Sequence, residues 1–466
     1  MTSSHKKKIS VFSLVMINVV AINSLRNLPL SAEYGFSLIF YYLLAGVLFF
    51  LPASLVSAEL ATAWPEKGGL YVWVREAFGK KVGFFTICLQ WFYNICWFPT
   101  IMSFIAATLA YCINPDLTNN KTYMFFTVFS LFWLMTFINF LGIKISSLFS
   151  TLTAIFGTLL PMFIIIVLGY VWLQTDNPIA ITFSWNNFFP DLSQANNLVL
   201  LTTILFGLIG MEMSAYHANE VKNPQKDYPK AIFWSGLMII TPLIAASLAI
   251  ALVIPQSQLS ILVGLLQAFE FFFTSFHLQW MMPIIAALIV FGCMGGVHAW
   301  ILGPSKGVLI AGQDGALPKR LSTTNKSGVP VPILLLQGIL FTLVSFIFLI
   351  LPTATTAFWI LADASAILAL FVYIIMFAAA IRLRYKYPAV KRSFTIPGKK
   401  WGLWLTCIAG LFSCIFTAIL GFLPPSQIPV GNLLVYEMIL ISGVLIGCLL
   451  PIIINKFVCP PSPPPL

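Results

Sequence analysis

Apolar runs of about 20 residues or more succeed one another along this chain, which leaves very little freedom of fold. A helix needs about 20 apolar residues to cross the hydrocarbon core of a bilayer. Read for that length, the chain offers about twelve spans, near residues 11–32, 37–61, 82–113, 122–141, 147–173, 196–217, 230–254, 279–312, 331–351, 355–382, 402–423 and 432–455. Hydrophobic residues are 59% of the 466 and charged residues 8%, so the solvent for this surface has to be lipid. The short-period alternation of a transmembrane barrel is absent from the sequence. The expected fold class is an all-α polytopic membrane protein, with every backbone polar group satisfied inside its own helix.

Orientation follows from the basic residues. With both termini inside, 23 of the 25 Lys and Arg fall on the cytoplasmic side, and Arg26 and Lys121 are the two that do not. The net charge of +11 is then topological, and no nucleic-acid partner is expected from residues scattered over six loops and two tails. The first apolar stretch runs on into polar residues without a small-residue cleavage site and is expected to stay as a helix. The eight cysteines show no C-x-x-C pair and read as packing residues; Cys459 lies where a lipid could be attached. No metal and no cofactor are expected. No linker is long enough to hold a soluble domain, so the chain reads as one transmembrane domain, 1–466.

Two spans are interrupted. The first contains Ile22-Asn23-Ser24-Leu25-Arg26 at mid-depth, followed by Pro29. The sixth contains Gly207 and Gly210 and then Glu212. Paired interruptions at matching places in two halves point to a secondary transporter built of inverted repeats. The expected division is a cytoplasmic N-terminus 1–10, a first repeat 11–173 of helices 1–5, a second repeat 196–385 of helices 6–10, helices 11–12 at 401–456, and a Pro-rich cytoplasmic tail 457–466.

A break at Ile22–Arg26 starts a new half-helix near Leu25, with Asn23 or Ser24 as its cap. Pro29 suits its first turn. Free N–H groups there face a cavity and fit a carboxylate. The break at Gly207–Gly210 exposes carbonyls suited to an ammonium. A substrate with an α-carboxylate and an α-amine matches both. Arg26 has two readings. It binds a second carboxylate on the substrate, or it pairs internally with Glu212, Asp363 or Glu33 or snorkels outward. Glu212 could carry a proton or couple pocket to gate, or it could simply cap. Asp363 could line the pathway or bind backbone. His298 could titrate near neutrality or pack. His217 is expected at the interface. The stretch "WPEKGGLYVWVREAFGK" sets Tyr71, Trp73, Val74 and Phe78 against Arg75, Glu76 and Lys80, which suggests a short helix lying at the cytoplasmic interface.

The stretch Pro29–Phe85, with its "AEL…GG.Y.WV…FG" pattern, resembles the amino acid–polyamine–organocation superfamily. "GMEMSAYHANEVKNPQKDYPKAI", "WILGPSKGVLIAGQDGALP" and "YPAVKRSFTIPG" are similar to stretches of the bacterial glutamate/γ-aminobutyrate antiporters. The resemblance implies a leucine-transporter-type 5+5 inverted repeat with helices 1 and 6 broken. It implies exchange of an amino acid for another amino acid or its decarboxylated amine. It maps the superfamily's Gly-Ser-Gly onto Ile22-Asn23-Ser24, so both glycines are gone. It puts Arg26 at a pocket tyrosine, which implies altered specificity. It makes Phe206 an aromatic gate, Gly207, Leu208 and Ile209 carbonyl donors to the pocket, and Glu212 the acid of a G-V-E motif. Gln90, Tyr93, Asn94 and Trp97 share one face of helix 3, roughly where that family lines its pocket. Those antiporters commonly carry a longer tail that plugs the inner mouth, and with about ten residues after the last span such gating is not expected here.

The substrate-binding expectation is therefore Ile22, Asn23, Ser24, Leu25, Arg26, Tyr93, Asn94, Trp97, Phe206, Gly207, Leu208 and Ile209, with Glu212, His298 and Asp363 for coupling or gating. The expected partners are an amino acid or amine substrate and the lipid bilayer of a bacterial inner membrane; homo-oligomerisation stays open. The expected function is an amino-acid antiporter of the glutamate/γ-aminobutyrate exchanger type working by alternating access. The alternative is a proton-coupled importer, or an exchanger of neutral amino acids. An enzyme is disfavoured, because the chain has no H-E-x-x-H or G-x-S-x-G and its four histidines are dispersed. A channel would need rings of carbonyls or charges, usually from several subunits.

Overall fold

The computed structural model describes residues 10–65, 68–141, 149, 151–175, 177–190, 198–199, 201–214, 221, 223–351, 353–423 and 433–458. The N-terminal residues 1–9, the tail from 459 with Cys459, and His217 lie outside them.

Among the described residues, ten helices are long and apolar enough to cross a membrane: Gly35–Ala63, Lys80–Ile113, Lys121–Phe140, Thr153–Leu173, Lys226–Val253, Gln279–Ala316, Val331–Ile350, Ala354–Lys386, Lys399–Leu420 and Leu433–Lys456. Two shorter apolar helices, Val11–Ile22 and Leu201–Ser214, take the first and sixth places. The twelve are called segments 1 to 12 in chain order. Segments 1 and 6 are both broken. Segment 1 stops at Ile22 and resumes as a half-helix Asn27–Ala32. In segment 6 the helix Leu201–Gly207 gives way at Leu208–Gly210 to a tight turn over Met211–Ser214. This is the all-α architecture with broken helices 1 and 6 that the sequence implied.

Among the ten long helices segment 3 is the most enclosed, with 83% of its apolar stretch buried, and segment 10 follows at 72%; segment 12 is at 22%. Segments 3 and 10 therefore form the packed interior, against each other, and segment 3 also packs against segment 8. Small residues permit close approach elsewhere, as between helices in lipid generally. Where segments 5 and 8 cross, a Cβ on Gly292 would lie 2.1 Å from the Gly157 carbonyl oxygen, and one on Gly295 would meet Thr153. Segment 5 carries a widened turn there, Thr153–Leu159.

The amphipathic stretch between segments 2 and 3 forms a helix, Leu70–Phe78. Tyr71, Trp73 and Val74 are fully buried, packed on segments 3, 8 and 10. The expectation of a helix lying on the membrane surface is corrected to one wedged beneath the bundle. Gly68 and Gly69, both at positive φ, turn the chain into it, and Gly79 (φ 95) turns it out.

Candidate functional site

The two breaks face each other at the centre of the molecule. A Cβ on Gly207 would sit 2.8 Å from Asn27 Nδ2, and one on Gly210 would meet Ile22 Cγ1 at 2.9 Å. Gly210 has φ +134, a conformation open to glycine and costly for other residues. The break in segment 1 frees the Ala21 carbonyl, and the Trp300 indole N–H of segment 8 donates to it at 2.9 Å. The half-helix restarts through tight bonds from Asn27 N–H to Ser24 O (3.0 Å) and from Leu28 N–H to Leu25 O (3.2 Å). It begins at Asn27, later than expected, and Pro29 falls in its first turn. Neither Asn23 nor Ser24 caps it through its side chain. Asn23 Nδ2 reaches across to the Met238 carbonyl (3.2 Å), and the Ser24 hydroxyl is buried without a partner. The 24–27 turn meets the need that a cap would have met.

Between the breaks lies a cavity of about 30 Å³. That volume holds about two waters and no amino acid. Ile22, Ser24, Arg26, Tyr93, Asn94, Trp97, Phe206, Gly207 and Ile209 all line it. Asn23 and Leu25 line a second cavity of about 20 Å³ beyond Trp97 and Trp300, against Cys293. Leu208 is buried in the break with its N–H on the Leu205 carbonyl at 3.0 Å.

Arg26 is 2% exposed. Nη1 donates to the Thr100 hydroxyl of segment 3, and Nη2 donates to Asn27 Oδ1 at 2.9 Å. The guanidinium lies 5.3 Å from the Phe358 ring centroid. Its Nε–H is buried without a partner. Among the described residues, no carboxylate forms an ion pair with Arg26.

The three acids considered as partners for Arg26 are engaged elsewhere. Glu212 accepts from the Tyr373 hydroxyl of segment 10, from Gln90 Nε2 of segment 3 (3.3 Å), and from backbone N–H groups at Gly210 and its own position. Gly210 N–H also reaches Tyr373 Oη at 3.2 Å, so Glu212 and Tyr373 together close the segment 6 break. Asp363 is fully buried away from the cavity and accepts from Tyr436 Oη of segment 12 at 3.2 Å. Glu33 lies in the turn after segment 1, against Gln256. His298 packs edge-on to Phe149 with centroids 5.4 Å apart, and both its ring nitrogens are buried without partners.

Sequence reasoning marked Asn27 as part of the break but gave it no site role, and it passed over Thr100, Trp300 and Tyr373. Asn27 adjoins the arginine that drew attention, and Trp300 sits two residues after His298 in the same quoted stretch. Trp300 and Tyr373 each meet a backbone group that a break releases, and Tyr373 also donates to Glu212, none of which spacing alone reveals.

On the face that carries the basic loops, two ionic clusters tie the segments together. Glu59 of segment 2 accepts from Arg384 Nε and the Ile396 N–H, both at 2.8 Å, and pairs with Arg392 at 3.4 Å. Asp314, at the end of segment 8, accepts from Arg75 Nη1 and from Tyr71 Oη, both at 2.8 Å. Burial opposes the Arg75 charge, but Asp314 and Glu76 outweigh it and hold the guanidinium above its ordinary pKa. Glu59 lies inside the "AEL" pattern, but nothing in that pattern indicates that it collects two arginines.

Known proteins agree with this architecture. The profile of the amino acid permease family matches residues 9–444. An uncharacterized transporter of Legionella pneumophila subsp. pneumophila is 53% identical over 454 residues, covering 97% of this chain and 98% of its own. A glutamate/γ-aminobutyrate antiporter of Lactococcus lactis subsp. lactis is 32% identical over 458 residues, covering 97% and 91%. A probable agmatine/putrescine antiporter of the same bacterium is 27% identical over 426 residues, covering 89% and 88%. The broken segments, the membrane-length helices and these matches together make the protein a transporter rather than an enzyme, and the chain belongs to the amino acid permease family.

Proposed function

We propose that this protein is an amino-acid antiporter of the glutamate/γ-aminobutyrate exchanger type, working by alternating access in a bacterial cytoplasmic membrane. The observation that carries the reading is Arg26: a buried cation, hydrogen-bonded only to neutral groups among the described residues, in a cavity between two helix breaks. A guanidinium has five N–H donors, and the bonds to Thr100 and Asn27 use two of them. A lone charge at this depth costs several kcal/mol, and a substrate carboxylate offsets that cost.

In this reading Arg26 takes the side-chain carboxylate of glutamate. The α-carboxylate sits at the amides of the segment 1 break, and the ammonium meets carbonyls at Gly207–Ile209. Tyr93, Trp97, Phe206 and Trp300 form the walls. Glu212 couples the segment 6 break to segments 3 and 10 through Gln90 and Tyr373. The chain divides into repeats 11–173 and 196–385, with segments 11 and 12 as additions and both termini in the cytoplasm. The small cavity then belongs to an occluded state, and the Glu59 and Asp314 clusters form the closed cytoplasmic side.

The test is counterflow in proteoliposomes. Vesicles are loaded with one unlabelled amino acid at a time, and uptake of labelled glutamate is followed for the wild type and Arg26→Ala. The reading predicts glutamate uptake that requires an internal amino acid or amine, and loss of that uptake in Arg26→Ala while a neutral amino acid still exchanges. If glutamate is ignored while neutral amino acids exchange, the acidic-substrate reading fails and Arg26 is a structural residue.

A further inference from the structure

A cavity larger than the two central ones lies elsewhere. It holds about 770 Å³, and it lies where the chain turns between segments 1 and 2, between segments 5 and 6, and at the end of segment 7. All three turns are on the face opposite the basic loops. Among the described residues that line it, Glu33 is the one charged group. Gln256 hydrogen-bonds the Glu33 carboxylate, and Asn186 and Asn187 add amides. Phe36, Trp185 and Phe189 supply aromatic faces, and Phe36 and Phe188 meet edge-on with centroids 5.9 Å apart.

We infer that this outer cavity binds a primary ammonium group, with Glu33 as counter-charge and the aromatic rings as walls. A single carboxylate with no basic residue among its described companions selects cations. Aromatic faces favour an organic ammonium over a hydrated metal ion, because they reward contact with the alkyl group and the charge together. The volume admits a group as large as an amino acid or a lipid headgroup. No described residue of the central cavity lines this one, so the site is distinct from the one holding Arg26. Because its walls are the ends of segments 1, 2 and 7, an occupant would bear on the half-helix Asn27–Ala32 directly.

Burial raises the Glu33 pKa to about 7, although the Gln256 hydrogen bond works against the rise. The described titratable neighbours are Tyr34, next in sequence, and Tyr41, whose ring lies 4.2 Å from that of Tyr34. Burial keeps the Tyr34 phenol neutral over the relevant range. Glu33 is therefore ionised above about pH 7, where ammonium binding should be strongest, and binding should fade as pH drops below it.

The test uses the purified full chain in phosphatidylcholine nanodiscs, with butylamine as the probe and butyrate as its control. Trp185 is the reporter, and Trp185→Phe subtracts the other tryptophans. The inference predicts a saturable fluorescence change with butylamine and none with butyrate. Glu33→Gln should weaken it about tenfold or more. Arg26→Ala should leave it intact, which separates this site from the transport reading. Retained exchange shows that Glu33→Gln is folded; if exchange is lost, Asn187→Trp, which fills the cavity, takes its place. Adding phosphatidylethanolamine tells the two sources of ammonium apart. Competition with butylamine identifies a lipid headgroup, and no competition identifies a free amine; each supports the site. Equal binding in Glu33→Gln, or loss in Arg26→Ala, overturns it.

Discussion

Asp314→Asn should loosen the basic face of the protein and favour the state open to that side. Asp314 Oδ2 holds Arg75 and Tyr71 at 2.8 Å each, which joins the end of segment 8 to the helix between segments 2 and 3. The Arg75 and Asp314 side chains are 20% and 28% exposed. Exposed ion pairs contribute about 0–1 kcal/mol, and hydrogen bonds to charged groups about 1.5–3 kcal/mol. Asparagine keeps an acceptor, and Lys80 still reaches the main-chain oxygen at 3.4 Å. For a cluster about a quarter exposed, the loss is then about 1–2 kcal/mol, which shifts a two-state equilibrium about 5–30-fold. Ser24 borders both central cavities, so Ser24→Cys in a background lacking the eight native cysteines reports access to them. A charged maleimide applied to the basic face should label this cysteine about 5–30-fold faster in Asp314→Asn. Raising salt should speed labelling in the parent and change it less in the variant, since the ion pair is partly solvated. Unchanged labelling in Asp314→Asn would mean that the contact is static and that the gate lies elsewhere.

Glu59→Ala should lower stability by about 3–5 kcal/mol, because it leaves two largely enclosed guanidiniums without their shared, buried counter-charge; the melting temperature in detergent checks this, and an unchanged value refutes it. Gly292→Ala should cost about 1–3 kcal/mol or more by forcing segment 8 off segment 5, seen as lost monodispersity on size exclusion. Trp300→Phe keeps an aromatic wall but orphans the Ala21 carbonyl, so KM should rise for every transported substrate while the oligomeric profile is unchanged.

The fold was legible because lipid imposes a strict rule on the backbone. Each span had to be a helix of membrane length, so run length alone placed most segment boundaries within a few residues. The breaks were legible for the same reason: Arg26 with Asn23 and Asn27, and Gly207 with Gly210, are residues that a continuous lipid-facing helix does not tolerate. The contacts made at the breaks were harder to read. That Ala21 O goes to Trp300, Gly210 N–H to Tyr373 and Arg26 to Thr100 depends on which segments adjoin in space. Nothing in the spacing of segments 3, 8 or 10 specifies those pairings. The helix Leu70–Phe78 shows the limit of periodicity from another side. Its amphipathic pattern fixed which face is apolar but not whether lipid or protein would cover it.

The bonds around the two breaks indicate which parts can move. Segment 1 is tied to segment 7 by Asn18 to Ser235 and by Asn23 to the Met238 carbonyl, so those two segments should travel together. Its ties to segments 3 and 8 are Arg26 to Thr100 and Trp300 to Ala21 O. A net hydrogen bond contributes about 0.5–1.5 kcal/mol, and somewhat more where one partner is charged. Contacts of that size can be exchanged within a transport cycle. The Glu59 cluster, more deeply buried and doubly paired, cannot be broken so cheaply, and it joins segment 2 to segment 10 and to the loop after it. Motion on the basic face should then begin at the Asp314 contact, which is more exposed. A carboxylate arriving at Arg26 would compete with Thr100 and Asn27 for the guanidinium. In doing so it would release segment 1 from segment 3 at the depth where the helix is already broken. Substrate charge would thereby act on the hinge itself, which is how a transporter of this family can tie opening to occupancy.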